Sequence, residues 1–98
     1  RLQPRGDATD VVGVAPWLQA AAVCGGAGLP VATHLSPEIG IHLAAATPNC
    51  RTLEYMDWSM QLFNERIALD PDGRAVVPTG PGLGVTLDEE LLARNAVR

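Results

Sequence analysis

Three ionisable side chains in the first part of the sequence could do acid–base chemistry. Asp7, His34 and Glu54 are separated by 27 and 20 residues, and each follows a short segment that is predicted to be the end of a strand. An imidazole can act as a general base near neutral pH, and a carboxylate can fix its tautomer. If the strands are parallel and neighbouring, the three groups meet at one end of a sheet. The spacing is therefore compatible with a shared functional site, although each residue is more simply explained as an ordinary polar loop residue.

The segments between these residues are predicted to alternate between helix and strand. Pro16 and Pro37 stand at favoured first-turn positions, Ser36 is a typical helix cap, and alanine-rich runs favour helix. Short apolar segments without polar alternation are typical of parallel strands that are buried on both faces. The first predicted helix opens at 15–17, is alanine-rich over 17–24, has its last turn weakened by Gly25 and Gly26 and is terminated by Gly28. A strand over 29–33, a helix from Ser36 to about Ala46 and a strand over 52–55 follow. Together with a strand end before Asp7, this βαβαβ order predicts an α/β fold with a parallel sheet.

The pattern changes after Glu54, so we divide the chain into residues 1–57, the βαβαβ part, and residues 58–98, a tail. The tail is predicted to contain a short helix over 59–67, a turn over 70–73 and a strand over 74–77. A Pro/Gly loop over 78–84 follows, and it lacks the Lys-Ser/Thr of a phosphate-binding loop. The segment 86–89 resembles a capping box before a helix over 88–95.

The combination of motifs is similar to one known group of enzymes. It resembles the C-terminal portion of the mandelate racemase/muconate lactonizing enzyme group in the enolase superfamily. The motifs are Gly-Val-Ala-Pro-Trp at 13–17, Gly-Leu-Pro at 28–30, His-Leu-Ser-Pro-Glu-Ile at 34–39, His-Leu-Ala-Ala-Ala-Thr-Pro at 42–48, Leu-Glu-Tyr at 53–55 and the closing segment 78–85. The resemblance implies the last section of a modified TIM (β/α) barrel, followed by a tail that would pack on the capping domain.

The resemblance also implies roles for single residues. His34 matches the general base for the substrate α-proton, Asp7 the carboxylate that orients this imidazole, and Glu54 the acid that hydrogen-bonds the developing enolate. Trp58 is a candidate substrate-binding residue that could equally pack under the capping domain. The sequence departs from the family pattern around Asp7, where Arg5-Gly6 intervenes after Gln3-Pro4 and Asp10 occupies a usually basic position. Asp10 is therefore a second candidate for the partner of His34.

The implied activity is a magnesium-dependent removal of the α-proton of a carboxylate, by an acid-sugar dehydratase or a 2-hydroxy acid racemase. The Mg²⁺ ligands and a second base are expected upstream of this chain, and Glu38 and Asp57 are poor substitutes. The chain begins without Met, which suggests a fragment. Because no acidic triad with the family's spacing precedes Asp7, the isolated chain is expected to be inactive. The alternative is a truncated non-catalytic fragment or an association module. The full-length protein is expected to be a homo-oligomer acting on a small carboxylate or sugar acid.

Composition argues against two other classes of partner. The chain has 7 basic and 11 acidic residues, no Lys and no basic cluster, so neither nucleic acid nor an anionic membrane is an expected partner. The uncharged stretch over 11–33 is interrupted by prolines and glycines, which argues against a membrane-spanning helix. Cys24 and Cys50 form neither a CxxC pair nor a zinc-site spacing, and Cys24 lies in an apolar stretch where a free thiol acts as a small hydrophobic residue. We therefore expect free thiols and a reducing, cytoplasmic location. His42 is predicted to be a packed or partly exposed histidine.

Overall fold

The computed structural model describes residues 13–97. Two helices alternate with two strands, and a 3-10 helix and a short terminal helix follow. The elements are helix α1 (Val14–Gly26), strand β1 (Val31–Ala32), helix α2 (Pro37–Ala46), strand β2 (Cys50–Thr52), a 3-10 helix (Asp57–Leu62) and helix α3 (Glu89–Arg94). The predicted order of helix, strand, helix and strand is confirmed. Asp7 and Asp10 lie outside the described residues.

The two strands form a parallel pair, as the sequence predicted. Val31 pairs with Cys50 and Ala32 with Thr52, with an irregularity in the register between them. Both strands are shorter than expected, and the strand predicted over 52–55 instead begins at Cys50 and ends at Thr52. Consequently His34 and Glu54 each lie two residues beyond the end of a strand, in equivalent positions on neighbouring strands.

The first hydrophobic core lies between the strands and the two helices. Trp17 and Ala21 of α1 pack with Val31, Leu43 and Cys50, all of them buried. Burial raises the pKa of the Cys50 thiol, which keeps it in its neutral form. Helix α1 ends at Gly26, two residues before Gly28, the glycine expected to terminate it. The side-chain amide of Asn49 donates to the carbonyl of Ala21 over 3.0 Å and so links the helix to the start of β2.

The tail packs on the other side of α2 through a second core, in which Ile41 contacts Met60 and Ile67.

Several predicted elements of the tail are wrong in kind or extent. The helix expected over 59–67 is the 3-10 helix, and the strand expected over 74–77 is reduced to an antiparallel bridge between Leu69 and Ala75. Helix α3 is capped by Asp88, whose carboxylate accepts from the Leu91 amide over 3.0 Å, rather than by Thr86. The division of the chain at residues 57 and 58 stays a prediction.

Within residues 13–97, no helix is both long enough and apolar enough to cross a membrane.

Candidate active site

The chain turns sharply directly after His34. Leu35 and Ser36 have φ angles of 55° and 41°, in the left-handed region that non-glycine residues rarely adopt. Such conformations cost of order 1–3 kcal/mol each and persist where the surrounding contacts enforce them. Ser36 therefore occupies the N-cap position of α2 but makes no side-chain cap, which corrects the sequence expectation, while Pro37 starts the helix as predicted.

The side chain of Glu54 reaches across from the next strand and contacts the imidazole of His34. The contact joins Oε2 of Glu54 and Nδ1 of His34. The same Oε2 accepts a hydrogen bond from the Leu35 amide at 2.8 Å. The two side chains are 40% and 34% exposed, so the pair faces solvent on one side. The structure thus brings together two of the three residues that the spacing singled out.

Thr33 connects the segment that follows β1 to the segment that follows β2, next to the His34–Glu54 pair. The Glu54 amide donates to its hydroxyl oxygen over 3.1 Å, and Thr33 itself is only 5% exposed. Gly40 of α2 lies against Thr33, since a Cβ atom at Gly40 would stand 3.2 Å from the Cβ of Thr33. Sequence reasoning missed Thr33 and the Leu35 amide. The only signal was a hydroxyl residue at the end of an otherwise apolar strand.

This geometry can support one kind of chemistry. An imidazole that is partly open to solvent and held by a carboxylate can take a proton from a bound carbon acid. An exposed ion pair adds little to stability, so the value of the contact lies in orienting the ring.

The family of the chain follows from comparison with known proteins. Residues 4–91 match the family described as enolase C-terminal domain-like. The chain belongs to that family. The predicted fold class is thereby confirmed, as is the resemblance to the mandelate racemase group.

Two curated relatives of this enolase-type chain carry sugar-acid names. The L-talarate/galactarate dehydratase of Salmonella typhimurium is 38% identical over 89 residues, which cover 91% of this chain and 22% of the relative. The probable glucarate dehydratase of Streptomyces coelicolor is 39% identical over 84 residues, covering 76% of this chain and 19% of the relative. The chain thus spans about a fifth of the length of these relatives.

Solved structures give the same picture. An enolase from the alpha proteobacterium bal199 with bound Mg matches with a TM-score of 0.88 at 39% identity. The match covers 97% of this chain and 26% of the enolase chain. The L-talarate dehydratase from Polaromonas sp. JS666, complexed with Mg and L-glucarate, matches with a TM-score of 0.79 at 45% identity. This match covers 94% of this chain and 25% of the dehydratase chain. The described part of the chain therefore has the fold of one section of these enzymes.

A magnesium site is not formed by the residues that the structure describes. No group of three or more His, Cys, Asp or Glu side chains that could hold a metal occurs among residues 13–97. Mg²⁺ requires near-octahedral coordination by oxygen, and Glu54 alone does not supply this. Asp57 is engaged elsewhere, since it accepts from Arg66 at 2.5 Å, and Glu38 lies at the start of α2 with Oε2 buried and without a hydrogen-bond partner among these residues.

The remaining candidates lie apart from the His34–Glu54 pair. Trp58 is 66% exposed in the 3-10 helix and is not among the residues around the small cavity beside His34, so its substrate-binding role stays a prediction. His42 is partly buried, as expected, and its Nε2–H donates to the carbonyl of Leu83 over 2.8 Å. The glycine-rich segment 80–84 forms a turn, with a hydrogen bond of 3.0 Å from Gly84 N to Pro81 O.

Proposed function

We propose that this chain contributes the acid–base part of the active site of an enzyme that removes the α-proton of a hydroxy-carboxylate. The enzyme is a sugar-acid dehydratase, and the chain forms the last barrel section of the complete protein. The observation that carries the proposal is the contact between His34 and Glu54 at the ends of neighbouring parallel strands.

His34 is the proposed general base. The α-proton of a carboxylate is very weakly acidic, so a base must stand within hydrogen-bond reach of it. The Cα–H bond breaks, the proton passes to the imidazole, and the electron pair moves into the carboxylate to form an enediolate. The enediolate then expels the β-hydroxyl, which leaves as water with a proton from an acid of the site, and the resulting enol tautomerises to a 2-keto-3-deoxy acid. Asp7 and Glu54 are the acids proposed to accompany the base.

Magnesium is the proposed cofactor of the complete protein, with ligands outside the described residues. Solved relatives are described with bound Mg, which supports the assignment. When bound, the ion supplies positive charge for the developing enolate. Because the described residues form no such site, we expect the 98-residue chain alone to be inactive.

Dehydration is favoured over racemisation by the names of the relatives. Both curated relatives described above are sugar-acid dehydratases, or probable ones. Racemisation is the second candidate, because a racemase from Streptomyces coelicolor with bound magnesium matches with a TM-score of 0.85 at 27% identity. A racemase needs a second base on the opposite face of the substrate, whereas a dehydratase needs a β-hydroxyl leaving group and an acid to protonate it.

The experiment is a substrate panel applied to the complete protein that contains this chain. Talarate, galactarate, glucarate and mandelate are offered with Mg²⁺, and products are followed by NMR. The proposal predicts Mg²⁺-dependent release of a keto-deoxy acid from at least one sugar acid. Inversion of mandelate together with no dehydration of any sugar acid would favour the racemase instead. A folded, Mg²⁺-loaded protein that turns over no hydroxy acid would overturn the proposal.

A further inference from the structure

We propose that Thr33 is a positioning residue of the site, and that Gly40 of α2 in turn sets the position of Thr33. The inference rests on the proposed function in one respect, namely that His34 and Glu54 take part in the reaction. It starts from the hydrogen bond in which the Glu54 amide donates to the Thr33 hydroxyl oxygen over 3.1 Å. Thr33 directly precedes His34, so this bond joins the two segments that carry the candidate groups.

The side chain of Thr33 has little freedom to move. It is only 5% exposed, and its backbone amide donates to the Thr52 carbonyl over 3.4 Å. Gly40 lies against it, since a Cβ atom added there would stand 3.2 Å from the Cβ of Thr33 and 3.3 Å from both Cγ2 and Oγ1. A β-branched side chain also has few accessible rotamers. All the side-chain atoms of Thr33 are therefore confined by the backbone of α2.

A methyl group at position 40 would push on the atom that accepts from Glu54. Carbon atoms are best separated by about 3.5–4.0 Å, so Thr33 would have to move away from α2. Its hydroxyl oxygen would move with it, and the bond that fixes the Glu54 segment would lengthen or break. The close approach also gives a reason for Gly40 inside α2, where glycine otherwise disfavours the helix.

Turnover by the complete protein that contains this chain tests the positioning role. With Mg²⁺ and the sugar acid that it dehydrates, Gly40→Ala and Thr33→Val should each lower kcat by roughly 3- to 30-fold with a smaller change in KM, because a misplacement of about 1 Å can cost about 10²-fold. Adding Gly40→Ala to Thr33→Val should lower kcat little further, since the bond through which Gly40 acts is already absent. Losses of stability, in contrast, should still accumulate in the double variant.

A rescue and two controls separate positioning from folding. Thr33→Ser keeps the hydroxyl but removes the methyl that would lie 3.3 Å from the added atom, so it should partly restore kcat in Gly40→Ala. Gly26→Ala adds the same methyl to α1 with nothing within 4 Å, and Gly25→Ala places it 3.3 Å from the Asn49 side chain, away from the site. Both controls should keep the wild-type kcat.

Hydrogen exchange of the Glu54 amide reads the same bond without any substrate. Followed by mass spectrometry with fragmentation to single residues, it should be roughly 5- to 10-fold faster in Gly40→Ala and Thr33→Val, the modest factor expected for one hydrogen bond, and unchanged in Gly26→Ala. Unchanged exchange in a folded Gly40→Ala protein would overturn the proposal, as would a loss of kcat from Gly40→Ala that persists in full beside Thr33→Val. A wild type without dehydratase activity would overturn the proposed function, and exchange alone would then decide whether Thr33 and Gly40 hold Glu54.

Discussion

The amide nitrogen of Leu35 lies 2.8 Å from Oε2 of Glu54, although the two residues are 19 positions apart in the sequence. The bond ties the entry of α2 to the segment that follows β2. Because the left-handed Leu35 stands directly after His34, the candidate base is held between a short strand and a strained turn. Its geometry is therefore set by backbone contacts, and variants that disturb those contacts should change stability and chemistry together.

Thr33→Val should destabilise the fold by about 1–3 kcal/mol, the usual cost of leaving a partly buried amide without its acceptor. The substitution keeps the shape of the side chain but removes the hydroxyl oxygen that accepts from the Glu54 amide at 3.1 Å. Urea unfolding measures the loss. Thr33→Ser, which keeps the hydroxyl, serves as the control. A valine variant as stable as the wild type would show that this hydrogen bond does not hold the Glu54 segment.

Gly84→Ala should destabilise the tail by about 2–5 kcal/mol, combining the left-handed backbone cost with overpacking. Gly84 has a φ of 76°, and a Cβ atom there would overlap the Cβ of Pro78. Gly82→Ala is the matched control, because its φ is 61° but nothing lies within 4 Å of the added atom, so about 1–2 kcal/mol is expected. Equal losses in thermal or urea unfolding of the two variants would refute the packing argument.

The Glu65→Gln variant should lose less stability than the wild type as the pH falls. The Thr86 amide donates to Glu65 at 2.6 Å and the Thr86 hydroxyl at 2.8 Å, and these bonds lower the pKa of Glu65 below its ordinary 4.5. A lowered pKa in the folded state contributes stability that is present above about pH 4.5 and is lost as the pH falls through the folded value. Unfolding midpoints between about pH 3 and 6 should therefore fall more steeply for the wild type than for the variant.

The control for Glu65 is Glu90→Gln, which removes the same charge in the first turn of α3, whereas the carboxylate that bonds Thr86 is that of Glu65. This variant should follow the wild-type slope. Parallel curves for the wild type and Glu65→Gln would mean that the bonds to Thr86 do not couple protonation to folding.

The order of elements could be predicted because its signals are local, and the approach of His34 to Glu54 follows because the ends of neighbouring parallel strands lie side by side. Pro37 marks a helix start, and uninterrupted apolar segments mark buried parallel strands. The exact strand ends could not be predicted, because the Glu54 amide leaves the ladder to bond the hydroxyl of Thr33, a contact between residues 21 positions apart. The left-handed turn was equally invisible, since neither Leu35 nor Ser36 is a residue type that favours it.

The tail was harder to predict, because its regular elements are short. The segment 74–77 has the residue types of a strand, but only a bridge from Ala75 to Leu69 forms. Thr86 has the residue type of a helix cap, yet its hydroxyl donates to Glu65, and Asp88 caps α3 instead. The pairing of Thr86 with Glu65, 21 positions away, is not contained in the local pattern that suggested Thr86 as the cap.

The central claim is that His34 removes the α-proton of the substrate, and isotope exchange tests it most directly. The complete protein is incubated with Mg²⁺ and a sugar acid such as L-glucarate in D₂O, and deuterium at the α-carbon is followed by NMR. His34→Asn should lower exchange on the face served by His34 by at least about 10²-fold, the low end for a general base. His42→Asn, which alters the histidine bonded to Leu83, should retain it. Near-normal exchange by a folded His34→Asn protein would contradict the account, because another group would then be the base.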